Sequence, residues 1–467
     1  MIKAGFFECD ITPPYYADSP GNFGKRKIKH FSDYLKVRAV AFYDGEKKYA
    51  LIGSDTLGCG QNFLKRLQAM LPDVNFIHSA SHTHYGGNLR DKIQGIDEAP
   101  DYIRKIFIDE SVCYDDHYYN MCLQQYMSAV VFAFERLEEV EFSFGRGKVE
   151  NLIFNRRIRM KDGSTKTHPG KGNPDNVTYA GPVDDELGVM GIWKKDSNDL
   201  LGFVLNFSCH ACINLEGATS DFCGVAIDTV RAVYGKNAGA VYINGASGDV
   251  TQIDNLSLKK DFGKPVAIQL GRNVGAEAVK ILANSPRGEI SVLRYLNASY
   301  NMKYISVDED EIKEAYEKLK FNDSSADCKM AQSLVGGDMG RKGNPNPKCE
   351  LAVMQIGPLL IGSTPCEMFA QFALDFKKQS KFPFTWFSQL SYIHCYIPTA
   401  DAFDSETGGG YEVATAKFIP ETGHEMTAVI SELSQKLTPE KAPDAEKVVP
   451  VNTAWGYNFK RKKKEVL

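Results

Sequence analysis

Residues Asn75 to Asn88, with the sequence N-F-I-H-S-A-S-H-T-H-Y-G-G-N, constrain the fold more than any other stretch of the chain. The apolar start of this stretch is typical of a buried strand, and the small polar residues that follow place His82 and His84 just past the end of the strand. In extended backbone, side chains at i and i+2 point to the same side. The two imidazoles, followed by Gly86-Gly87, therefore indicate either a metal-binding rim or a pair of hydrogen-bonded loop histidines.

The remainder of the chain alternates strand and helix patterns, which predicts an α/β fold with a mixed sheet and flanking helices. The other predicted strands are Ala39–Asp44, Tyr49–Asp55, Glu141–Gly145, Leu201–Ser208, Gly239–Asn244, Ile290–Tyr304, two within Leu351–Ser363, and Thr385–Tyr392. The predicted helices are Asn62–Leu71, Asp115–Glu139, Val225–Val233, Lys264–Leu282, Asp308–Leu319, and one from Glu367 to Lys378.

Three long segments carry no clear period and are predicted to be loops: Ile93–Cys113, Asn151–Tyr179 and Lys329–Lys348. Loops of this length are usually functional or disordered. Either the first or the third could cover a pocket, and the sequence does not decide between them.

Residues 1–440 are predicted to form one catalytic domain, and residues 441–467 a C-terminal tail rich in Pro, Lys and Glu. The basic run Lys460–Lys464 lies in this tail and is interpreted as a solvated end of the chain.

Charge and cysteine content exclude several classes of function. Lys and Arg number 55 against 59 Asp and Glu, a net charge of −4, so no global basic field indicates a nucleic-acid partner. No apolar run has the length of a signal peptide or of a transmembrane helix. The eleven cysteines are scattered and odd in number, which favours a reduced, cytoplasmic setting.

Polar candidates recur where separate apolar strands end. They are His82, His84, His210, the turn Gly245–Thr251, Glu367 and Tyr396. In open α/β sheets the carboxyl ends of the strands are where ligand crevices form. Two imidazoles and a carboxylate are a usual set of catalytic zinc ligands, and zinc both activates water and polarises a carbonyl, which suits amide or ester hydrolysis.

The motifs H-T-H-Y-G-G, N-F-S-C-H, S-D-F-C-G, G-A-S-G-D-V-T, T-P-C-E and Y-I-P-T followed by G-Y-E resemble, in this order, the landmarks of the neutral/alkaline non-lysosomal ceramidases. The opening G-F-F-E-C-D-I-T-P-P also resembles the N-terminal strand and turn of that family. Six landmarks in order across nearly the whole chain are far more specific than any one of them. The resemblance covers the N-terminal catalytic domain of the family.

The resemblance implies one zinc ion per chain, held by His82, His210, Glu367 and Tyr396. It also implies that His84 passes a proton to the leaving amine, that Arg156 steadies the product carboxylate, and that Tyr411 stabilises the oxyanion. Taken alone, Tyr396 could be a core tyrosine and Glu367 a helix cap, and Arg157 could face the pocket in place of Arg156.

Two departures from the family pattern stand out. The segment in which the family has a serine proposed as nucleophile reads Gly248-Asp249-Val250-Thr251 here. The methyl group of threonine crowds an attack by its hydroxyl, which favours metal-activated water as the nucleophile. We also expect no C-terminal immunoglobulin-like domain, because the chain ends too soon to hold one.

The leading hypothesis is therefore a zinc-dependent amidohydrolase that cleaves an N-acyl bond in a lipid such as ceramide, or in a smaller molecule. One alternative is a metal-dependent ester or phosphoester hydrolase, for which Asp55, Asp221 and Asp249 are the available ligands of a second ion. Another is a non-catalytic relative that binds a lipid or carbohydrate. The sequence leaves the oligomeric state open.

Overall fold

The computed structural model describes residues 2–21, 25–110, 114–214, 217–321, 325–392 and 395–445. Within these residues the strands β1 to β20 are, in chain order, Lys3–Asp10, Lys36–Tyr43, Lys48–Ser54, Val74–Ala80, Glu138–Lys148, Phe154–Asn155, Arg157–Met160, Thr165–Thr167, Asn176–Tyr179, Glu186–Lys194, Leu200–Phe207, Gly239–Asn244, Val250–Thr251, Arg287–Gly288, Leu293–Asn301, Lys348–Ile356, Leu359–Ser363, Glu367–Met368, Phe384–Ser388 and Tyr396–Ile397.

The helices α1 to α10 are, in chain order, Gln61–Met70, Asp101–Arg104, Asp116–Glu135, Asp221–Tyr234, Lys264–Asn284, Glu309–Leu319, Ala326–Gly343, Ala370–Gln379, Tyr411–Ala414 and Thr422–Gln435. A π-helical turn, Lys105–Glu110, continues α2, and a 3₁₀ turn spans Ala400–Phe403. None of the described helices combines the length and the apolar character needed to cross a membrane.

The largest sheet is mixed, with the order β12-β11-β10-β5-β1-β2-β3-β4, and β14 pairs with β5. The pairs β11–β12 and β3–β4 are parallel, and the other neighbours are antiparallel. A second sheet has the order β15-β16-β17-β19. The predicted α/β class, with a mixed sheet and flanking helices, is confirmed.

An apolar core lies between the two sheets. Its fully buried members include Phe42, Leu51 and Ile77 from one end of the large sheet, Ile243 from the other end, and Trp386 from the second sheet. The large sheet thus coils so that its two edges approach each other. At the closest point a Cβ on Gly53 of β3 would lie 2.5 Å from the carbonyl oxygen of Tyr242 in β12, so this approach requires glycine.

Helices cover the outer faces of the large sheet. Helix α3 packs against β1 and β2, while α4 and α5 pack against each other and α5 lies on β5 and β10. Gly271 in α5 makes the α4–α5 approach possible, because a Cβ there would lie 2.6 Å from the Phe222 carbonyl oxygen. The strands of the large sheet therefore lie between these helices and the second sheet.

The prediction of a loop at Lys329–Lys348 is wrong. Helix α7 runs through Gly343, and it begins where the Ser325 hydroxyl accepts a hydrogen bond from the backbone N–H of Cys328 at 3.1 Å. The four glycines at 336, 337, 340 and 343 lower helix propensity and mislead a reading of the sequence. Packing of α7 against α6 overrides that local preference.

Three other predictions also need correction. The segment Ile93–Cys113 contains α2 and the π-helical turn, and residues 111–113 lie outside the described residues. The segment Asn151–Tyr179 contains β6, which pairs with β13, and the small sheet β8-β7-β9. The helix expected from Glu367 starts only at Ala370, because Glu367 and Met368 pair with β20 instead.

Most of the predicted tail, including Lys460–Lys464, is outside the described residues.

Residues 93–110, 309–321 and 325–343 together form what we call the helical cover. They share a small apolar core of their own, with fully or nearly fully buried side chains at Ile103, Ile106, Leu319 and Val335. The cover therefore packs as a separate unit above the central strand ends.

Candidate metal centre

Three strand ends meet at the centre of the molecule through buried hydrogen bonds. The hydroxyl of Ser79, at the end of β4, accepts from the backbone N–H of Asn244 at 3.1 Å and donates to the backbone carbonyl of Gln389 at 3.0 Å. The backbone N–H of Gln389 in turn donates to the Asn244 carbonyl at 3.0 Å. These bonds join the ends of β4, β12 and β19, which bring their following loops together.

His82 and His84 lie in the loop after β4 and His210 in the loop after β11, and each places its Nδ1 against a backbone carbonyl. The acceptors are the carbonyls of Leu57, Gly21 and Ser247, at 2.7, 2.9 and 2.6 Å respectively. A carbonyl can only accept, so we assign the proton to Nδ1 in all three rings. Each Nε2 then carries a lone pair, which is the arrangement usually found in metal-ligating histidines.

The Nε2 lone pairs of His82 and His210 converge on the Glu367 carboxylate. Its Oε2 lies 3.1 Å from Nε2 of His82 and 3.2 Å from Nε2 of His210. One ring nitrogen from each of the three histidines lies within 4.8 Å of the others. Nε2 of His82, Nε2 of His84 and Oε2 of Glu367 are buried without a hydrogen-bond partner in the described part of the chain. Acceptor atoms gathered in this way repel one another unless a cation lies between them.

Burial keeps the imidazoles of His84 and His210 neutral. It lowers the pKa of His210 to about 4 and lowers the pKa of His84 well below its ordinary value. Neutral imidazoles and a carboxylate are donors that suit a divalent transition ion such as zinc. The donor set therefore fits the ion predicted from the sequence, and His84 adds a third nitrogen to it.

Two residues of the centre adopt the left-handed backbone conformation that non-glycine residues avoid. His82 has φ of 66° and Cys366, directly before Glu367, has φ of 72°. Such conformations cost about 1–3 kcal/mol each and persist where the surrounding structure imposes them. Here they turn the chain sharply after a strand and aim His82 and Glu367 at each other.

Tyr396 lies opposite Glu367 in the parallel pairing of β18 with β20. Its hydroxyl is 3.5 Å from Nε2 of His210, and its side chain is nearly fully buried. Burial, with the nearby Glu367, raises the pKa of Tyr396 well above the ordinary value. The structure thus places all four predicted metal ligands, His82, His210, Glu367 and Tyr396, around one point.

Gln389 was missed by sequence reasoning and holds two parts of the centre together. Its fully buried amide donates through Nε2 to the Ser247 hydroxyl at 2.7 Å and accepts through Oε1 from the backbone N–H of Met368 at 2.9 Å. The first bond steadies the loop whose carbonyl orients His210, and the second steadies the strand that carries Glu367. No motif in the sequence identifies this role.

Gly248 explains part of the G-A-S-G-D motif. Its N–H donates to the Met368 carbonyl at 2.7 Å, and a Cβ at position 248 would lie 2.6 Å from the Glu367 carbonyl oxygen. Only glycine allows the loop that orients His210 to pack directly against the backbone of Glu367.

Arg156, and not Arg157, faces the cavity. Arg156 places Nη1 3.3 Å from Nε2 of His210, and its Nε is paired with the fully buried Glu412 at 2.5 Å. Burial opposes the charge, but Glu412 outweighs it and raises the pKa of Arg156 well above its ordinary value. Arg157 turns away and donates to the carbonyl of Gly409. Glu412 was also missed, although it is the last residue of the G-Y-E landmark.

The centre opens into a cavity of about 710 Å³. Tyr411 lines this cavity, and its ring centroid lies 5.6 Å from that of Tyr396. Thr251 is not among the described residues that line it; the Thr251 hydroxyl donates to Oε1 of Gln252 at 2.8 Å. The helical cover also lines the cavity, through Phe107, Gly336 and Gly337, so both predicted loops that contain these residues border it.

The three aspartates considered for a second metal ion are engaged elsewhere. Asp55 pairs with Arg38 at 2.7 Å. Asp221 accepts three backbone N–H groups at 2.7–2.8 Å, and Asp249 accepts from Asn155 and from the backbone N–H of Ala370. Each is therefore occupied in holding the fold.

The fold and the site together define an α/β protein with a buried cluster of metal-type ligands at the strand ends. Two solved structures share this fold. A structure described as a ceramidase complexed with C2 superposes with a TM-score of 0.70, at 16% identity, over 95% of this chain and 77% of that chain. A neutral ceramidase from Pseudomonas aeruginosa superposes with a TM-score of 0.66, also at 16% identity, over 95% of this chain and 76% of that one.

The chain matches no protein-family model and no curated protein. The two structural comparisons nevertheless show that it has the neutral-ceramidase fold, as the order of its sequence motifs predicts.

Proposed function

We propose that this protein is a zinc-dependent amidohydrolase that cleaves an N-acyl amide. The observation that carries the proposal is the buried cluster in which a ring nitrogen of each of His82, His84 and His210 lies within 4.8 Å of the others, with Oε2 of Glu367 3.1–3.2 Å from Nε2 of His82 and His210. The shared fold with two ceramidases supports amide hydrolysis as the reaction.

His82, His210 and Glu367 would hold the ion, with Tyr396 beside them. A bound zinc ion supplies Lewis-acid polarisation of a carbonyl and lowers the pKa of water. The single carboxylate in the set suits one ion, because the aspartates that a second ion would need are bound to other groups. This arrangement disfavours the phosphoester alternative, which relies on paired ions.

Three side chains around the donor set can act on an amide. The pKa of Tyr411 is raised, chiefly by burial, so its hydroxyl stays protonated and can donate to a developing oxyanion. Arg156 stays cationic and can bind the carboxylate product. The neutral His84 has a free Nε2 that can accept a proton and pass it to the leaving amine.

The cavity can admit an acyl chain. Leu57, Ile93 and Phe107 give it an apolar wall, and the two glycines of α7 beside them leave room next to these side chains. A volume of about 710 Å³ suits a drug-sized or moderately long substrate. A lipid such as ceramide and a smaller N-acyl molecule are both candidates for this pocket.

Metal content tests the proposal first. Protein purified without added metal is expected to carry one zinc per chain by elemental analysis, and His210→Ala is expected to lose it together with hydrolysis of N-acyl amides, ceramide included. The matched control is His117→Ala, an exposed histidine in α3, which should keep both. A native protein that binds no metal even when zinc is supplied would contradict the proposal.

A further inference from the structure

Two cationic side chains, Arg90 and Lys417, line the cavity without a carboxylate partner. Arg90 is exposed and Lys417 is half-buried. Among the described residues, no Asp or Glu oxygen lies within 4.0 Å of either cation. The two are also close enough to influence each other: burial lowers the pKa of Lys417, the Cys395 thiol opposes this, and Arg90 adds to the lowering.

The backbone at both positions is well anchored. The backbone N–H of Arg90 donates to Oδ1 of Asn88 at 3.1 Å, and Lys417 accepts through its carbonyl from the N–H of Ile305 at 3.0 Å. Phe418, the next residue, forms a β-bridge with Tyr304. The structure thus fixes the backbone of both residues at the border of the cavity.

Two of the less exposed cations elsewhere in the chain are paired with carboxylates. Arg38 binds Asp55 at 2.7 Å, and Lys377 binds Asp184 at 2.7 Å and Glu186 at 3.0 Å. Among the described residues that line the cavity, the only carboxylate is Glu367, and it belongs to the metal centre. The cavity therefore carries an excess of positive charge that the protein itself leaves uncompensated, which favours an anionic ligand.

We infer that the substrate is an N-acyl amide that carries a carboxylate, which Arg90 and Lys417 bind while the amide lies at the metal centre. The inference rests on the proposed amidohydrolase function and adds the class of substrate. It distinguishes the substrate from ceramide, which bears no charge. Guanidinium and ammonium groups both form charge-assisted hydrogen bonds to carboxylates, so two of them can specify an acid against its neutral analogue.

The test compares an acid with a neutral analogue that lacks its carboxylate charge, which we call its neutral twin. N-dodecanoylglycine and N-dodecanoylglycinamide differ by one charge at the same position, and we expect the native protein to prefer the acid in kcat/KM by about tenfold or more, the scale of one charge-assisted hydrogen bond. A second comparison, of dodecanedioic acid monoethylamide with dodecanoic ethylamide, places the same charge on the acyl half of the substrate. A preference for either acid supports the inference.

Variants locate the source of the preference. Arg90→Gln and Lys417→Gln should each lower the acid-to-neutral ratio by about threefold, and the double variant should remove the preference. Lys47→Gln, at an exposed lysine in the turn after β2, is the control and should leave the ratio unchanged. Equal turnover of acid and twin by the native protein, or a preference that both cavity variants retain, would overturn the inference.

A binding measurement separates this inference from the proposed function. Calorimetric titration with the same acids and twins does not require turnover. If no amide is hydrolysed but an acid still binds more tightly than its twin, and this is lost in both cavity variants, the anion site stands and the hydrolase proposal fails. If amides are hydrolysed but acid and twin bind alike, the hydrolase stands and the anion site fails.

Discussion

The metal centre and the helical cover face each other across one cavity, yet they are held in place by different means. In the centre, buried side chains on strand ends are fixed by backbone carbonyls, as His82 is by Leu57. The cover is a set of short helices around a small core of its own, which includes Val335. The donor atoms therefore depend on hydrogen-bond geometry, whereas the opposite wall depends on apolar packing. Substitutions in the two regions should separate metal binding from substrate fit.

Gln389→Ala is expected to have the largest effect on the centre. The change removes the bonds to the Ser247 hydroxyl and the Met368 backbone, so the loop that orients His210 and the strand that carries Glu367 lose their common support. We expect zinc affinity to fall by about 10–100-fold, the range for outer-shell groups, as measured by titration against a competing chelator. Gln371→Ala, at a glutamine in α8 whose amide donates to Asp375 within its own helix, is the matched control. Unchanged affinity in Gln389→Ala would show that strand pairing alone orients the donors.

Gly337→Leu should act on the other region only. Gly337 lines the cavity, and a Cβ there meets no atom within 4 Å, so leucine fits without a backbone shift and takes up cavity space. We expect KM for a long N-acyl substrate to rise by about tenfold, with zinc content unchanged, because one to two kcal/mol of apolar contact is lost.

Gly340→Leu makes the same change one turn further along α7, where a Cβ also meets no atom and the residue is not among those that line the cavity. Both variants gain about 1 kcal/mol of helix propensity, so the pair cancels that effect. Equal rises in KM would show that the cover does not border the substrate.

Thr251→Ala should have the smallest effect. The Thr251 hydroxyl bonds to Gln252 and supplies no atom to the donor set, so zinc content should stay the same and turnover should fall by no more than about fivefold, the scale of one neutral hydrogen bond. A much larger loss with metal still bound, restored by Thr251→Ser, would instead identify position 251 as the nucleophile.

Sequence reasoning reached the donor atoms because they follow buried strands. His82, His210, Glu367 and Tyr396 each come at or just after a short apolar or paired segment, and the order of their motifs supplied the rest. The α/β class and most element positions were also predictable, because strand and helix periods are local properties.

The parts that escaped prediction depend on partners far along the chain. Nothing near Gln389 in sequence shows that Ser247, 142 residues earlier, accepts its amide N–H. Helix α7 was missed because its four glycines lower the local helix propensity, and packing against α6 overrides that propensity. In both cases contacts between distant parts of the chain determine the structure, and such contacts cannot be read from a single sequence.

The hydrogen bonds among Ser79, Asn244 and Gln389 also bear on the order in which the protein matures. Ser79 and Gln389 are 310 residues apart, so the point where the donors converge does not exist until most of the chain has been synthesised. Contacts of such long range close late, because the entropy of a large loop must be lost before they form. The proposed ion can therefore meet the complete donor set only after these long-range contacts have closed.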